Sequence, residues 1–349
     1  MVDANGADAQ ARGRRLGARM LEEWIKKLAR RGVRVPGDVL FASTRRRVLD
    51  EVVALHRPQA VRLGQRLSQG DSAAQDELSE LATRALRSLR EGVAADSLLA
   101  RAGSALDRAW HKPNAVELMD RPDLDEGRRT RIIESLDRWN LLSGSYDLFL
   151  DELRPLLRPD GPTRILDLAS GHAGFALHLL RVARDQGLEL EVTATDLSPE
   201  YLEVGRARAL SEGLDLDIRV QDALDLRNLE PGEFDIVVCT QAQHHFPAGL
   251  VAVMFESAAR AAGRGVVFID GSRSALHAAT MATMGQLWFR HRDFTYDSVT
   301  SLRRFFFPEE LELLARIGDW GDDVTARWMP PNHCLVRLDL TRAPKAELS

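Results

Sequence analysis

Four short polar segments stand out because each follows an apolar run and each carries groups suited to a nucleotide-like ligand. The first, Asp167-Leu168-Ala169-Ser170-Gly171-His172-Ala173-Gly174, is rich in small residues, which let a main chain approach a ligand closely. A helix starting there points its first N–H groups at the same ligand. Some twenty residues beyond, Thr195-Asp196-Leu197-Ser198 places an acid at a distance that suits a ribose diol. Gln221-Asp222-Ala223-Leu224 repeats the pattern, and Thr240-Gln241-Ala242-Gln243-His244-His245-Phe246 ends the series. The histidine pair is the candidate for proton transfer, since a neutral imidazole can take a hydroxyl proton near physiological pH. Adjacent side chains diverge, so one of His244 and His245 is expected at a substrate and the other in packing. Asp270 and Arg273, just past a fifth apolar run, are either substrate contacts or a surface ion pair. His172, His178 and His333 are scattered without metal-ligand spacing, so no metal site is expected. Cys239 lies in an apolar run and reads as a small buried hydrophobe.

The elements that must position these groups alternate in type. Short apolar runs at 164–168, 190–195, 216–220, 234–239 and 265–269 read as strands, with helical patterns between them. That alternation specifies βαβ units and a parallel sheet, whose ligands bind beyond the strand ends where strand order reverses. Val324 to Trp328 and Cys334 to Leu340 flank Met329-Pro330-Pro331-Asn332 and read as an antiparallel hairpin added to the sheet. The expected architecture is α/β: a Rossmann-like, doubly wound, mostly parallel seven-stranded sheet with a C-terminal antiparallel hairpin, preceded by an all-α bundle. The bundle spans 12–125, after a disordered tail at 1–11, and the ligand-binding domain spans 126–349. Within the bundle, Leu16, Met20, Trp24 and Leu28 form a first stripe. A second helix runs from Thr44 to His56, and Pro58 opens a new first turn. Asp71 and Asp96 start two more helices. Residues 111–125 read as a linker or joining loop, and one helix is expected from Arg128 to Leu157.

Composition narrows the function. With 349 residues, 44% of them hydrophobic, the chain buries a sizeable core and is not disordered as a whole. No apolar run approaches the roughly 18 residues of a membrane span, so no integral membrane segment is expected. The polar start and the two cysteines, Cys239 and Cys334, point to a cytoplasmic protein without a disulfide scaffold. The first 125 residues are net basic and the remainder carries the acidic excess behind the overall charge of −5. An acidic ligand-binding half argues against a nucleic-acid partner, which needs a basic footprint.

Taken together, these segments resemble the class I S-adenosylmethionine-dependent methyltransferases over roughly Thr163 to Asp339. The family's first motif usually reads LDLGCGTG; here it is LDLASGHA, with Ala169 and Ala173 where glycines are usual and Gly171 retained. The resemblance implies S-adenosyl-L-methionine as cofactor. It implies that Asp167 orients the amino end and Asp196 holds the ribose hydroxyls, with Ala169, Ser170, Gly171 and Leu197 also at the cofactor. Asp222 and Ala223 would flank the adenine, and Thr240 and Gln241 would line the methionine portion. The segment TQAQHHF resembles the post-strand motif of small-molecule methyltransferases of the ubiquinone-biosynthesis type. A nicotinamide dinucleotide site is the rival, because its fingerprint also ends on a ribose acid. Asp167 inside the strand, and TQAQHHF, favour the methyl donor. The expected activity is in-line methyl transfer to a small apolar or aromatic acceptor. The aromatic segment from Met281 to Phe307 is expected to cover that acceptor. The N-terminal helices are a candidate surface for homo-oligomer formation. Leu21-Glu22-Glu23-Trp24 and Arg90-Glu91-Gly92-Val93 resemble helical sensor domains of bacterial stress regulators, so a cofactor-binding regulator with little turnover is the alternative.

Overall fold

Thr163–Leu168 (β1) and Phe234–Thr240 (β4) lie side by side at the centre of a seven-stranded sheet. Their near-continuous apolar sequences are buried on both faces, as central parallel strands require. On one side follow Leu190–Asp196 (β2) and Asp217–Val220 (β3). On the other lie Ala262–Gly271 (β5), His333–Asp339 (β7) and Val324–Met329 (β6), giving the order β3-β2-β1-β4-β5-β7-β6. All pairs from β3 to β5 are parallel, whereas β7 is antiparallel to both β5 and β6. The computed structural model describes residues 41–284, 291–321 and 323–341, with Glu23, Lys26, Lys27 and Arg30. The expected tail at 1–11 and the stripe from Leu16 to Leu28 lie outside the described residues.

Crossover helices cover both faces. Gly174–Gln186 (here αA) follows β1, Pro199–Glu212 (αB) follows β2, and Ala248–Ala261 (αC) links β4 to β5. After β5 come Ala275–Met284 (αD), Arg292–Arg304 (αE) and Pro308–Arg316 (αF). Ahead of the sheet run Ala42–Ser68 (αN1), Ala73–Asp96 (αN2), Leu98–Trp110 (αN3), Glu126–Ser143 (αN4) and Ser145–Leu153 (αN5).

Two readings of the helical region change. Pro58 lies inside αN1 and does not open a new turn. The buried stripe of Val48, Leu49, Val52 and Val53 continues through Ala60, Leu63 and Leu67 on the same helix. That continuous burial outweighs the roughly 3 kcal/mol an interior proline costs. The single helix expected from Arg128 to Leu157 is broken at Gly144, whose φ of 69° caps αN4 and lets αN5 leave in a new direction. Residues 111–125 are a joining loop fixed by hydrogen bonds, the second of the two readings of that stretch. Lys112 N–H bonds the Arg303 carbonyl, while Leu118 and Met119 N–H both bond the Asp297 carboxylate on αE, so the loop lies along the sheet's carboxyl edge.

The helical region and the sheet share one core. Apolar side chains of αN1 and αN2, among them Leu49, Leu81 and Leu89, belong to the same buried cluster as Leu166, Val237, Phe255 and Leu314. αN2 packs on αC so closely that a Cβ on Gly249 would sit 2.0 Å from the Ser79 carbonyl oxygen. A buried ion pair, Arg45 to Glu309 at 2.9 Å, and a half-buried one, Arg90 to Glu310 at 2.7 Å, reinforce the seam.

Candidate active site at the carboxyl edge of the sheet

The chain leaves β1 toward β2 and β3, then returns past β1 to β4 and β5, so strand order reverses between β1 and β4. The crevice beyond those two strand ends is where a doubly wound sheet binds its ligand. The β1 turn is held against β2: Ser170 N–H bonds the Thr195 carbonyl at 2.8 Å, and the Thr195 hydroxyl returns a bond to the Asp167 carbonyl at 2.9 Å. Ala169, Gly171 and Ala173 all take left-handed φ, at 50°, 54° and 57°. An L-residue pays about 1–2 kcal/mol for that region, so two alanines hold strain here. Gly171 has open space where a Cβ would point.

Two acids frame the turn. Asp196, at the end of β2, accepts from Gly171 N–H through Oδ2 and from Ser198 N–H through Oδ1, both at 2.9 Å. Each carboxylate oxygen keeps a second lone pair, so an oriented acceptor remains for further donors. Leu197 beside it is 63% exposed, an unusual position for a large apolar side chain. Asp167 is the opposite case. Its carboxylate is buried within β1, neither oxygen has a hydrogen-bond partner, and burial together with the Asp196 charge pushes its pKa up to about 8. Asp222 caps its own turn by accepting from Leu224 N–H at 2.9 Å and borders an open depression with Gln221, Asp225, Arg227 and Asn228. Ala223 is buried beneath it. Across the crevice, Thr240 is half-buried, and Gln241 has a φ of 57° and exchanges two amide hydrogen bonds with Asn140 of αN4, at 2.6 and 3.2 Å.

The histidine pair occupies a short 3-10 turn, Gln243–His245, past β4. His244 is buried; its backbone N–H and ring Nδ1 both engage the Asp270 carboxylate, at 2.8 and 2.9 Å. Its Nε2 lies 3.4 Å from Glu117 Oε1, outside hydrogen-bond alignment. Burial would lower the His244 pKa, but Asp270 and Glu117 raise it to about 9. His245 is more open, and its Nδ1 lies 3.2 Å from Asp120 Oδ2. Arg304 of αE reaches Glu117 Oε1 at 3.2 Å and Asp120 Oδ2 at 3.1 Å. The Phe305 ring stands edge-on to His244, its centroid 4.7 Å away.

The expectation of substrate contacts at residues 270 and 273 needs correction. Arg273 is 1% exposed, and its guanidinium is spent on Asp107, Glu310 and the Phe305 carbonyl. Nor do Asp270 and Arg273 form the surface ion pair that was the alternative: Arg273 ties αN3 and αF to the end of β5 through Asp107 and Glu310. Asp270 is equally buried, gives both oxygens to His244 and accepts from Gly271 N–H. It positions His244 and does not face a substrate itself. Cys239 is a buried free thiol whose pKa burial drives well upward.

Sequence reasoning did not find Glu117, Asp120 and Asn140. The first two sit in a stretch that reads as linker, and the third in a helix with no motif. Their only signal was polarity at positions that a plain connection leaves to solvent. From the segment 281–307, Phe294 is buried and Phe305 lies on His244, whereas Trp288 and Phe289 lie outside the described residues.

Residues 165–265 match the family described as methyltransferase domain. Among curated proteins, the chain is similar to the ubiquinone biosynthesis O-methyltransferase of Xanthomonas euvesicatoria pv. vesicatoria (strain 85-10), 37% identical over 84 residues, covering 24% of this chain and 33% of that one. The protein of the same description from Xanthomonas campestris pv. campestris (strain B100) is 31% identical over 122 residues, or 35% of this chain and 48% of that one. The match therefore spans between a third and a half of these relatives' length. Among solved structures, an O-methyltransferase family protein from Burkholderia thailandensis aligns at 18% identity and a TM-score of 0.45, over 61% of this chain and 59% of that one. No helix among the described residues is long and apolar enough to cross a membrane. Residues 165–265, which match a methyltransferase domain, are the stretch that carries the small-residue turn and the strand-end acids at the sheet's switch point.

Proposed function

We propose that the chain transfers the methyl group of S-adenosylmethionine to an oxygen of a small, apolar or aromatic acceptor. The observation that carries this reading is Asp167: a buried carboxyl without a partner, directly beneath a strained small-residue turn. A fold keeps such a group only where a ligand compensates it, and a cationic amino end does so. Asp196, already oriented by two backbone N–H groups, takes the ribose hydroxyls. Ala223 and Asp222 flank the adenine and the exposed Leu197 covers it; Thr240 and Gln241 line the methionine end. When bound, the cofactor supplies an activated methyl on a sulfonium, so the chain's task is alignment and exclusion of water. His244 and His245 stand beside that end of the crevice, where Asp270 fixes the first ring and Phe305 gives an apolar wall. The names of the curated relatives support oxygen as the accepting atom.

Calorimetry with S-adenosylhomocysteine tests the cofactor half. Wild type is expected to bind, and Asp196→Ala to lose about 2–3 kcal/mol of affinity, the range for hydrogen bonds to a charged group. Release of S-adenosylhomocysteine against a panel of phenols, catechols and aliphatic alcohols then tests the acceptor half. A folded protein that binds no S-adenosyl compound refutes the proposal.

A further inference from the structure

The histidine pair is more elaborately held than packing or a lone proton carrier requires. Each ring gives its Nδ1 to a separate carboxylate, His244 to Asp270 at 2.9 Å and His245 to Asp120 at 3.2 Å. Both Nε2 atoms are thereby left for the opposite side, and there both face one carboxylate. His244 Nε2 lies 3.4 Å from Glu117 Oε1, and His245 Nε2 lies 4.0 Å from Oε2. One ligand atom from each of the three residues falls within 4.8 Å of the others. His244 Nε2 is fully buried and makes no hydrogen bond, although it is aimed into this cluster.

A nitrogen and an oxygen bound tetrahedrally to one ion, with bonds of about 2.0–2.2 Å, stand about 3.4 Å apart. An imidazole that binds an ion through Nε2 and a carboxylate through Nδ1 is the usual outer support of a metal ligand, because it fixes the tautomer and raises basicity. Both histidines have that support. Charge points the same way. Glu117, Asp120 and Asp270 converge on the pair, and Arg304 is the cation that reaches two of them. An ion takes both imidazoles in their neutral form and displaces the proton from His244; in that form three carboxylates against Arg304 leave two negative charges, which one divalent ion cancels. Arg304 uses one lone pair of Glu117 Oε1 and leaves the remaining positions of that carboxylate for a second partner.

We propose that Glu117, His244 and His245 bind a divalent first-row transition-metal ion, with Asp270 and Asp120 fixing the two imidazoles. Two imidazoles and one carboxylate favour zinc, ferrous iron or cobalt over magnesium and calcium, which take oxygen shells. Three protein ligands leave a coordination position open. Resting on the methyl-transfer reading above, that position would take the oxygen of an acceptor hydroxyl, whose proton passes to solvent; the oxygen would then bond the methyl carbon as the carbon–sulfur bond of the sulfonium breaks, leaving S-adenosylhomocysteine. His244 and His245 then act on the acceptor through the ion. The site escaped the sequence because its carboxylate arrives from a loop far upstream, so no spacing records it.

The test uses the full chain, dialysed against a chelator and titrated with cobalt(II). Visible d–d absorption should saturate at one equivalent, and zinc(II) should compete for the same site. Glu117→Gln and the less buried His245→Gln should each weaken cobalt binding at least 100-fold. Asp120→Asn should weaken it about 10- to 100-fold, as loss of a supporting carboxylate does. S-adenosylhomocysteine calorimetry on the same samples checks that each variant is folded, and its affinity should stay at the wild-type value. Wild type that binds S-adenosylhomocysteine but no cobalt or zinc overturns the proposal, as does full cobalt loading in both ligand variants. Cobalt loading without S-adenosylhomocysteine binding keeps the metal site but removes its link to the acceptor, so failure of the two readings is distinguishable.

Discussion

Replacing Asp167 by asparagine should stabilise the cofactor-free protein and weaken its cofactor binding at the same time. The carboxyl is 1% exposed, neither oxygen has a partner, and its pKa is pushed up to about 8, first by burial and then by Asp196. A free aspartic acid titrates near pH 4. Between about pH 4 and 8 the folded chain therefore holds a proton that the unfolded chain has released. Stability contributed by this group falls as pH rises through that window and levels off above the folded pKa. At pH 7, about three pH units above the free acid, the cost has a ceiling of about 4 kcal/mol at 1.36 kcal/mol per unit. Relaxation of the buried site brings the real figure below that ceiling. Asparagine has nearly the same shape and no charge at any pH. The melting temperature of Asp167→Asn should exceed that of wild type most clearly at pH 8, with the two converging near pH 4. The binding side moves the other way. Without a carboxylate to meet the cofactor's ammonium, a charge-assisted hydrogen bond worth about 1.5–3 kcal/mol is lost, or roughly 10- to 150-fold in affinity for S-adenosylhomocysteine. Near pH 7 wild-type binding should also release the Asp167 proton, so its calorimetric enthalpy should vary with the ionisation enthalpy of the buffer. The enthalpy of the Asp167→Asn variant should not vary through this group. A variant that melts below wild type at pH 8 and keeps its affinity would refute the whole chain of reasoning.

Three further outcomes are expected. Ala169→Gly should raise stability in urea by about 0.5–1 kcal/mol: relief of the left-handed φ of 50° is worth about 1–2 kcal/mol, offset by the extra freedom glycine gives the unfolded chain. A lower midpoint in urea counts against strain in the turn. Arg273→Met should cost about 3–5 kcal/mol, because Glu310, whose pKa Arg273 and Arg90 hold down against burial, loses one of its two guanidinium partners inside the protein. Wild-type stability with lost turnover would return Arg273 to the substrate. A fragment starting at residue 126 should aggregate or stay unfolded, since it exposes the faces of αC and αF that αN1 and αN2 bury; a monomeric fragment that binds S-adenosylhomocysteine would restore two independent domains.

The sheet was legible because parallel strands make local sequence and global position agree. Once β1 to β4 lie in register, the residues that follow each apolar run must meet at one edge, so Asp167, Asp196, Asp222 and Thr240 come together by periodicity alone. No such rule governs what arrives from elsewhere in the chain. Glu117 and Asp120 reach the edge because Asp297 holds the backbone of Leu118 and Met119, and Asn140 because αN4 docks beside Gln241. Those contacts join positions more than a hundred residues apart, and the sequence around each acid looks like an ordinary polar connection. The helical region misled for a related reason. Pro58 and Gly144 carry strong local signals, but the choice between a break and a continuous helix was made by the shared core: burial on both sides of Pro58 keeps αN1 whole, while at Gly144 a left-handed cap turns the chain. Arg273 shows the same effect in its sharpest form. A charged residue just past a strand end suits a substrate by position, and only Asp107 and Glu310, from distant helices, reveal that its charge is already spent. The half of the site built by the sheet follows from local pattern. The half built by docked loops and helices, which includes every carboxylate that holds the histidines, follows from tertiary contacts alone, save for Asp270 at the strand end.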